Sequence, residues 1–203
     1  MVVHPKKQKN IKPGSTRANE EGDAWIYTSI KRESYLFVAH SVGKWTQQTC
    51  REMMEKMFKR VELPFPDNKL QIFSDGNDDY TYVLPEYYAE TCMDYGQIIK
   101  IKEGGRVVDK VKRVIYGCPG LDDIETTNVE NFNSILRERV GRLVRESKCH
   151  SKRKSMLVNA IDLIQFHWNF MDPLPKRDTP GMIEGLTDHI WNWDQLLMFN
   201  YAP

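Results

Sequence analysis

Three acidic residues stand where the predicted secondary structure would let their side chains converge. Asp23 directly precedes a predicted strand, Asp75 directly follows another, and Glu130 lies in the first turns of a predicted long helix. Two carboxylates at strand ends and a third on a packed helix can meet at one point, and hard divalent cations prefer such oxygen ligands. The pattern therefore indicates a site for Mg²⁺ or Mn²⁺. An acid at a strand end is also a common turn residue.

Other acids lie close enough to share or take over these positions. Asp75, which is followed by Gly76, is favoured by motif and placement. Glu130 is favoured by its place on the helix. The neighbouring acids that could substitute are Asp78, Asp79, Asp122, Asp123 and Glu125.

A basic segment follows the third acid. Arg137 comes seven residues after Glu130, which is nearly two helical turns, so both side chains lie on one face of the helix. An arginine there can bind a phosphate beside a metal held by the acid. Basic side chains at a helix end also complement the helix dipole, but this segment holds more of them than that requires. We therefore predict a DNA-binding segment made of Arg137, Arg139, Arg142, Arg145, Lys148, Lys152, Arg153 and Lys154.

The composition is that of a folded protein with unevenly distributed charge. The chain has 203 residues, 40% of them hydrophobic, and a formal net charge of +1. This excludes wholesale disorder. The neutral total hides an acidic segment, residues 52–94, and two basic ones, residues 1–19 and 137–154. Such asymmetry is typical of a polyanion-binding surface next to an acidic cluster, although solvated helix faces give it as well.

Several classes of protein are disfavoured by the sequence. There is no run of about 20 apolar residues, so no membrane-spanning helix is expected. Residues 1–19 have no apolar stretch of the kind found in secretory signals. The four cysteines are scattered without a C-x-x-C pair, which argues against a zinc ribbon and favours a reducing compartment.

The periodicity of apolar residues predicts an α/β domain with antiparallel strands first. We expect a flexible basic arm at residues 1–20, a core at 21–171 and an extended tail at 172–203 that packs on the core. Proline and glycine mark the breaks between elements. The predicted elements are strands within 24–46, a helix at 46–62, a strand at 70–73, a helix at 80–92, strands at 95–101 and 106–115, and two helices within 126–171.

The segment around Glu130 resembles a known family. Thr126 to Arg137, TTNVENFNSILR, is similar to the third-acid helix of insertion-sequence transposases of the IS-one type. The match extends through residues 142–152, RLVRESKCHSK, and returns in residues 179–188, TPGMIEGLTD. Residues 95–97, YGQ, and 74–76, SDG, also match, the latter at the second acid. Residues 21–25, EGDAW, give a shorter match at the first acid. The resemblance covers residues 21–197.

The resemblance implies an RNase H-like fold, with a mixed central sheet flanked by helices, and the predicted element order agrees with it. It implies a DDE transposase that cuts and joins DNA strands using two Mg²⁺ or Mn²⁺ ions. Asp23, Asp75 and Glu130 would be both the catalytic and the metal-binding residues. Partners would be transposon ends and target DNA, held by a homodimer at least, with no membrane and no small-molecule cofactor. The place of action would be the prokaryotic cytoplasm, on DNA, or the nucleus of a eukaryote that has domesticated the gene.

One departure from the family keeps alternatives open. Such transposases carry a zinc ribbon and a helix-turn-helix before the first acid, and here only the basic arm precedes Asp23. A domesticated DNA-binding protein without catalysis would keep the fold and the basic helix. A nuclease of the RNase H-like class would share the metal chemistry but would not join strands.

Overall fold

The computed structural model describes residues 2–3, 22–143, 151, 153–175 and 177–199. The strands are β1 Val2–Val3, β2 Ala24–Ile30, β3 Phe37–Gly43, β4 Leu70–Asp75, β5 Met93–Glu103 and β6 Arg106–Tyr116. The helices are α1 Gln47–Phe58, α2 Asp79–Tyr87, α3 Thr127–Arg139, α4 Lys154–Phe166, α5 Pro180–Ile183 and α6 Trp193–Met198. Short 3₁₀ turns at Glu90–Cys92 and Gly141–Leu143 and a π-helical turn at His167–Met171 complete the elements.

The first sheet is antiparallel, in the order β1-β2-β3. Strands β2 and β3 form the hairpin that the sequence predicts, and Trp25 pairs with Gly43. Side chains alternate across a strand, so β2 contributes to two apolar clusters. Ile26 packs with α3 and α4 on one face, whereas Tyr27 packs with α1 and α2 on the other.

Helix α1 joins the first sheet to the second. It begins after Thr46, whose side chain accepts a hydrogen bond from the backbone N–H of Thr49. Its apolar stripe, Cys50, Met53, Met54 and Met57, is buried against both β3 and β5. The helix predicted at 46–62 is therefore confirmed, although it ends at Phe58 rather than 62.

The second sheet is mixed, in the order β4-β5-β6. Strand β4 runs parallel to β5, and β5 pairs antiparallel with β6. The mixed sheet flanked by helices is thus confirmed. In the described residues the strands divide between two three-stranded sheets, which are joined through the apolar cluster that contains α1.

Helices α3 and α4 cover the outer face of the first sheet. Phe132 and Leu136 of α3 and Leu157 and Ile161 of α4 are buried with Trp168 of the π-helical turn. The segment after residue 171 contacts the rest of the chain through Thr179, which is fully buried, and through a salt bridge of 2.7 Å between Lys31 and Glu184. In the described part of the chain no helix is long and apolar enough to cross a membrane.

Several predicted boundaries move. Helix α2 spans Asp79–Tyr87 instead of 80–92, because the chain leaves helical geometry at Tyr88. Strands β5 and β6 are longer than predicted. Residues 41–43 continue β3, so the strands predicted within 24–46 are the two strands β2 and β3.

Candidate metal and nucleic-acid site

The second acid ends a strand that pairs in parallel with its neighbour. Asp75 is the last residue of β4 and is in register with Ile98 of β5. Its carboxylate accepts a hydrogen bond from the backbone N–H of Asn77 at 3.3 Å, which closes the turn after the strand. Gly76 lies close to Ile99, so a side chain in its place would press on β5. The carboxylate itself is exposed at the edge of the molecule.

Hydrogen bonds tie this turn to the first sheet. The Trp45 indole N–H donates to Asn77 Oδ1 at 3.3 Å, and the Tyr27 hydroxyl of β2 donates to Asp79 Oδ2 at 2.7 Å. Burial, together with the bond to Asp79, raises the pKa of Tyr27 above its ordinary value, so the phenol stays protonated as a donor. From β5, Gln97 Nε2 donates to the Asn77 carbonyl at 3.2 Å. The turn after β4 is therefore held from two sheets at once.

The third acid projects from α3 towards β5. Thr126, the residue before the helix, donates its hydroxyl to Glu130 Oε1 at 2.6 Å, and Lys100 Nζ lies 2.7 Å from the same oxygen. Burial raises the pKa of Glu130, but the bonds from Lys100 and Thr126 and the charge of Lys110 outweigh it. The net result is a pKa below the ordinary value. Glu130 is therefore an anion held by a lysine of the second sheet.

The packing of α3 explains this orientation. Phe132 and Leu136 are buried against the first sheet, and Asn133 accepts a hydrogen bond at 3.1 Å from Thr28 of β2. Because these residues of α3 pack on the first sheet, the first turn of the helix passes the outer part of β5. Glu130 is in that first turn and therefore contacts Lys100.

The first acid lies at the opening of β2. Asp23 is half-buried, and Lys44 Nζ donates to its backbone carbonyl at 3.3 Å. Burial lowers the pKa of Lys44; the charge of Asp23 opposes the shift and that of Lys154 adds to it. Lys44 is therefore within electrostatic reach both of the first acid and of Lys154 at the start of α4.

The donor atoms suit Mg²⁺ or Mn²⁺, but the described residues do not gather them into one group. Across residues 22–143 and the other described positions, no three His, Cys, Asp or Glu side chains form a group that could hold a metal. Glu130 instead forms an ion pair with Lys100. The structure brings Asp75 and Glu130 to neighbouring parts of β5, but these two acids and Asp23 do not form one cluster. The assignment of a metal to them stays a prediction.

The predicted basic segment divides into three groups. Arg139 forms a salt bridge with Asp172 and stacks over the Trp168 ring at 5.5 Å, and Arg142 donates to Ser151 Oγ at 3.2 Å. These two side chains therefore have structural partners within the chain. Arg137 is half-buried on α3, Arg153 is exposed and Lys154 begins α4. Arg145, Lys148 and Lys152 lie outside the described residues.

Sequence reasoning missed the basic residues nearest to Glu130. Lys100 and Lys110, on paired strands β5 and β6, supply the positive charge around that carboxylate. The segment from 106 to 115 is visibly basic in the sequence, and the signal available was the alternating lysines, Lys100 and Lys102 in one strand and Lys110 and Lys112 in the next. What the sequence did not indicate was that α3 would reach this hairpin.

Comparisons of the chain with protein-family models, with curated proteins and with solved structures found no match.

Proposed function

We propose that this chain is the catalytic core of a DNA transposase, which cleaves DNA strands and joins them to target DNA with the help of Mg²⁺ or Mn²⁺. The observation that carries the proposal is that two acids, from β4 and from α3, lie beside the same short stretch of β5. Asp75 pairs with Ile98, and Glu130 contacts Lys100 two residues further on. The acids come from a strand end and a helix, as the sequence pattern predicts.

The RNase H-like fold is part of the same proposal. It is supported by an antiparallel hairpin, β2-β3, followed by a helix and by a strand, β4, that pairs in parallel with its neighbour. Asp23 would be the third ligand, at the start of the first long strand. Bound divalent ions would supply an activated oxygen nucleophile and would stabilise the leaving oxygen. The DNA partner and the homodimer belong to this proposal too.

A specific observation favours a second candidate, a DNA-binding protein without catalysis. The ion pair of Glu130 with Lys100 and the lack of a three-acid cluster among the described residues are what an inactive derivative would have. The basic surfaces would be kept, whereas the carboxylates would serve only structural contacts.

Metal-dependent nicking separates the two candidates. The full chain is incubated with supercoiled plasmid in Mn²⁺ or in EDTA, and formation of nicked circles is followed on gels. We expect nicking in Mn²⁺ only, and Glu130→Gln to lower its rate by at least about a hundred-fold because a ligand of the ions is lost. Glu138→Gln, an exposed acid on the same helix, is the matched control and should leave the rate unchanged.

Normal nicking by Glu130→Gln would show that this residue is not a ligand. Asp75→Asn and Asp78→Asn, compared in the same assay, test which acid of the turn matters. Joining of a labelled DNA 3′ end into the plasmid distinguishes a transposase from a nuclease. Absence of nicking under every metal condition, with DNA binding intact, would favour the non-catalytic candidate.

A further inference from the structure

The β5–β6 hairpin projects beyond the packed part of the second sheet. From Ile101 to Val114 every residue is exposed, on both faces of the two strands. The bases on this part of the chain outnumber its acids, Glu103 and Asp109. They are Lys100, at its base, and Lys102, Arg106, Lys110, Lys112 and Arg113.

The bases are not spread evenly over the hairpin. Lys100 lies directly opposite Lys110, and Lys112 is two residues further on β6, so all three side chains share one face, which we term the lysine face. Lys112 Nζ also donates a hydrogen bond to the carbonyl of Leu121 at 2.7 Å. Residues opposite each other in antiparallel strands lie close together, and like charges there destabilise the pair. The other face carries Ile99 opposite Val111.

An anion from elsewhere in the fold compensates this repulsion. Glu130 Oε1 is 2.7 Å from Lys100 Nζ, and the charge of Lys110 also acts on this carboxylate. The contact is open to solvent, with 30% of the Lys100 side chain and 42% of the Glu130 side chain exposed. An exposed ion pair of this kind is weak and can exchange its anion for a stronger one.

We propose that the lysine face, Lys100, Lys110 and Lys112, binds the phosphate backbone of duplex DNA, and that a phosphate replaces Glu130 as the partner of Lys100. Charge complementarity argues for this occupant, because a phosphate backbone offers anions repeatedly while Glu130 offers one. Lys110 and Lys112 lie about 7 Å apart along the strand. A two-stranded ribbon is also of a width that the major groove of B-form DNA admits.

The consequence for Glu130 rests on the proposed function. A carboxylate released from Lys100 would be available to bind metal with Asp75. DNA binding to the lysine face does not itself require catalysis, so the two parts can fail separately.

The test measures DNA affinity in EDTA, where no metal takes part. Binding of the full chain to a fluorescent 30-base-pair duplex is followed by polarisation over a series of salt concentrations. We expect Lys110→Gln to weaken binding and to reduce the slope of log K against log salt by about 1, because one phosphate contact is lost. Lys110→Arg should restore both quantities.

Two matched controls test separately the role of the lysine face and the role of the Glu130 carboxylate. Arg113→Gln removes the same charge from the opposite face of the same hairpin and should leave the salt slope unchanged. Glu130→Gln should bind DNA about two- to five-fold more tightly, because the competing carboxylate is gone and exposed pairs have about that strength. Glu138→Gln, which removes the same charge elsewhere on α3, should not tighten binding. Thermal melting of each variant checks that the fold is kept.

Equal effects of Lys110→Gln and Arg113→Gln, or no tightening by Glu130→Gln, would overturn the proposal. A change in oligomeric state by light scattering, with DNA affinity unaltered, would identify the hairpin as a protein interface instead and would equally overturn it. Failure of the proposed function looks different: the lysine-face effects in EDTA would stand while nicking is absent.

Discussion

Strand β5 passes through two environments, and the contrast between its halves separates stability from binding. In its inner half, Met93–Ile98, every residue except Asp94 is buried, and Tyr95 and Gln97 form a hydrogen-bonded network with Ser74. In its outer half, beyond Ile99, the strand and its partner β6 are exposed and carry lysines. The inner half therefore contributes to the stability of the fold, whereas the outer half exposes charged side chains that are not part of the core.

The largest effect expected from this contrast is on stability at Tyr95. Its side chain is fully buried, and its hydroxyl is 2.8 Å from Ser74 Oγ and 2.7 Å from Gln97 Nε2. Tyr95→Ala should lower the free energy of unfolding by about 3–5 kcal/mol through loss of buried area and the cavity left behind. Chemical denaturation measures it.

The control for Tyr95 is a residue of the outer half. Val111→Ala removes apolar atoms from a residue that is 43% exposed, so the free energy of unfolding should change by no more than about 0.5 kcal/mol. A loss at Val111 comparable with that at Tyr95 would break the comparison, because the hairpin would then be packed against something in solution.

A second prediction concerns His40, a titratable side chain buried in the interior. His40 of β3 is 1% exposed, and its Nε2 lies 3.2 Å from Asp162 Oδ1 without the geometry of a hydrogen bond. Burial, reinforced by the nearby charge of Lys56 and opposed by Asp162, lowers the pKa of His40 to about 4. The imidazole is therefore neutral in the folded chain at pH 7.

The sign of the pH effect follows from this lowered pKa. The unfolded chain binds a proton at about pH 6.5 and the folded chain only near pH 4, so stability is lost as the pH falls through this window. Between pH 7 and pH 5 the loss from His40 should be about 2 kcal/mol. Denaturation of the wild type and of His40→Gln at both pH values measures it, since the variant should lack this part of the pH dependence. Parallel loss in both would exclude His40 as the cause.

The inner and outer halves also differ in what could be predicted from sequence. The strand after residue 69, the Met-rich helix and the turn at residues 104 and 105 follow from local patterns. Gly104 and Gly105 both have positive φ, as a tight hairpin turn requires. Local signals of this kind lie within a few residues of the elements they define, so one sequence is enough to identify them.

The site was less accessible to such reasoning. The ion pair of Lys100 with Glu130 joins residues 30 positions apart, and it exists because α3 packs on the first sheet with its start beside the second. Nothing in the spacing of acids along the chain indicates which lysine will face them. The sequence pattern predicted that Asp75 ends a strand and that Glu130 lies on a helix. That these acids do not form one metal-binding cluster among the described residues depends on tertiary packing.

The smallest effect is expected at the outer valines. Val108 lies at the bulge where the pairing of β5 with β6 shifts register, and it is 54% exposed. Val108→Thr keeps a β-branched side chain, so the free energy of unfolding should change by no more than about 0.5 kcal/mol. DNA affinity should stay the same, because no charge is altered. Light scattering is measured alongside denaturation. A shift of the variant to smaller assemblies would mean that the outer half buries its valines between copies of the chain. The division between a packed inner half and a free outer half would then hold only for the isolated monomer.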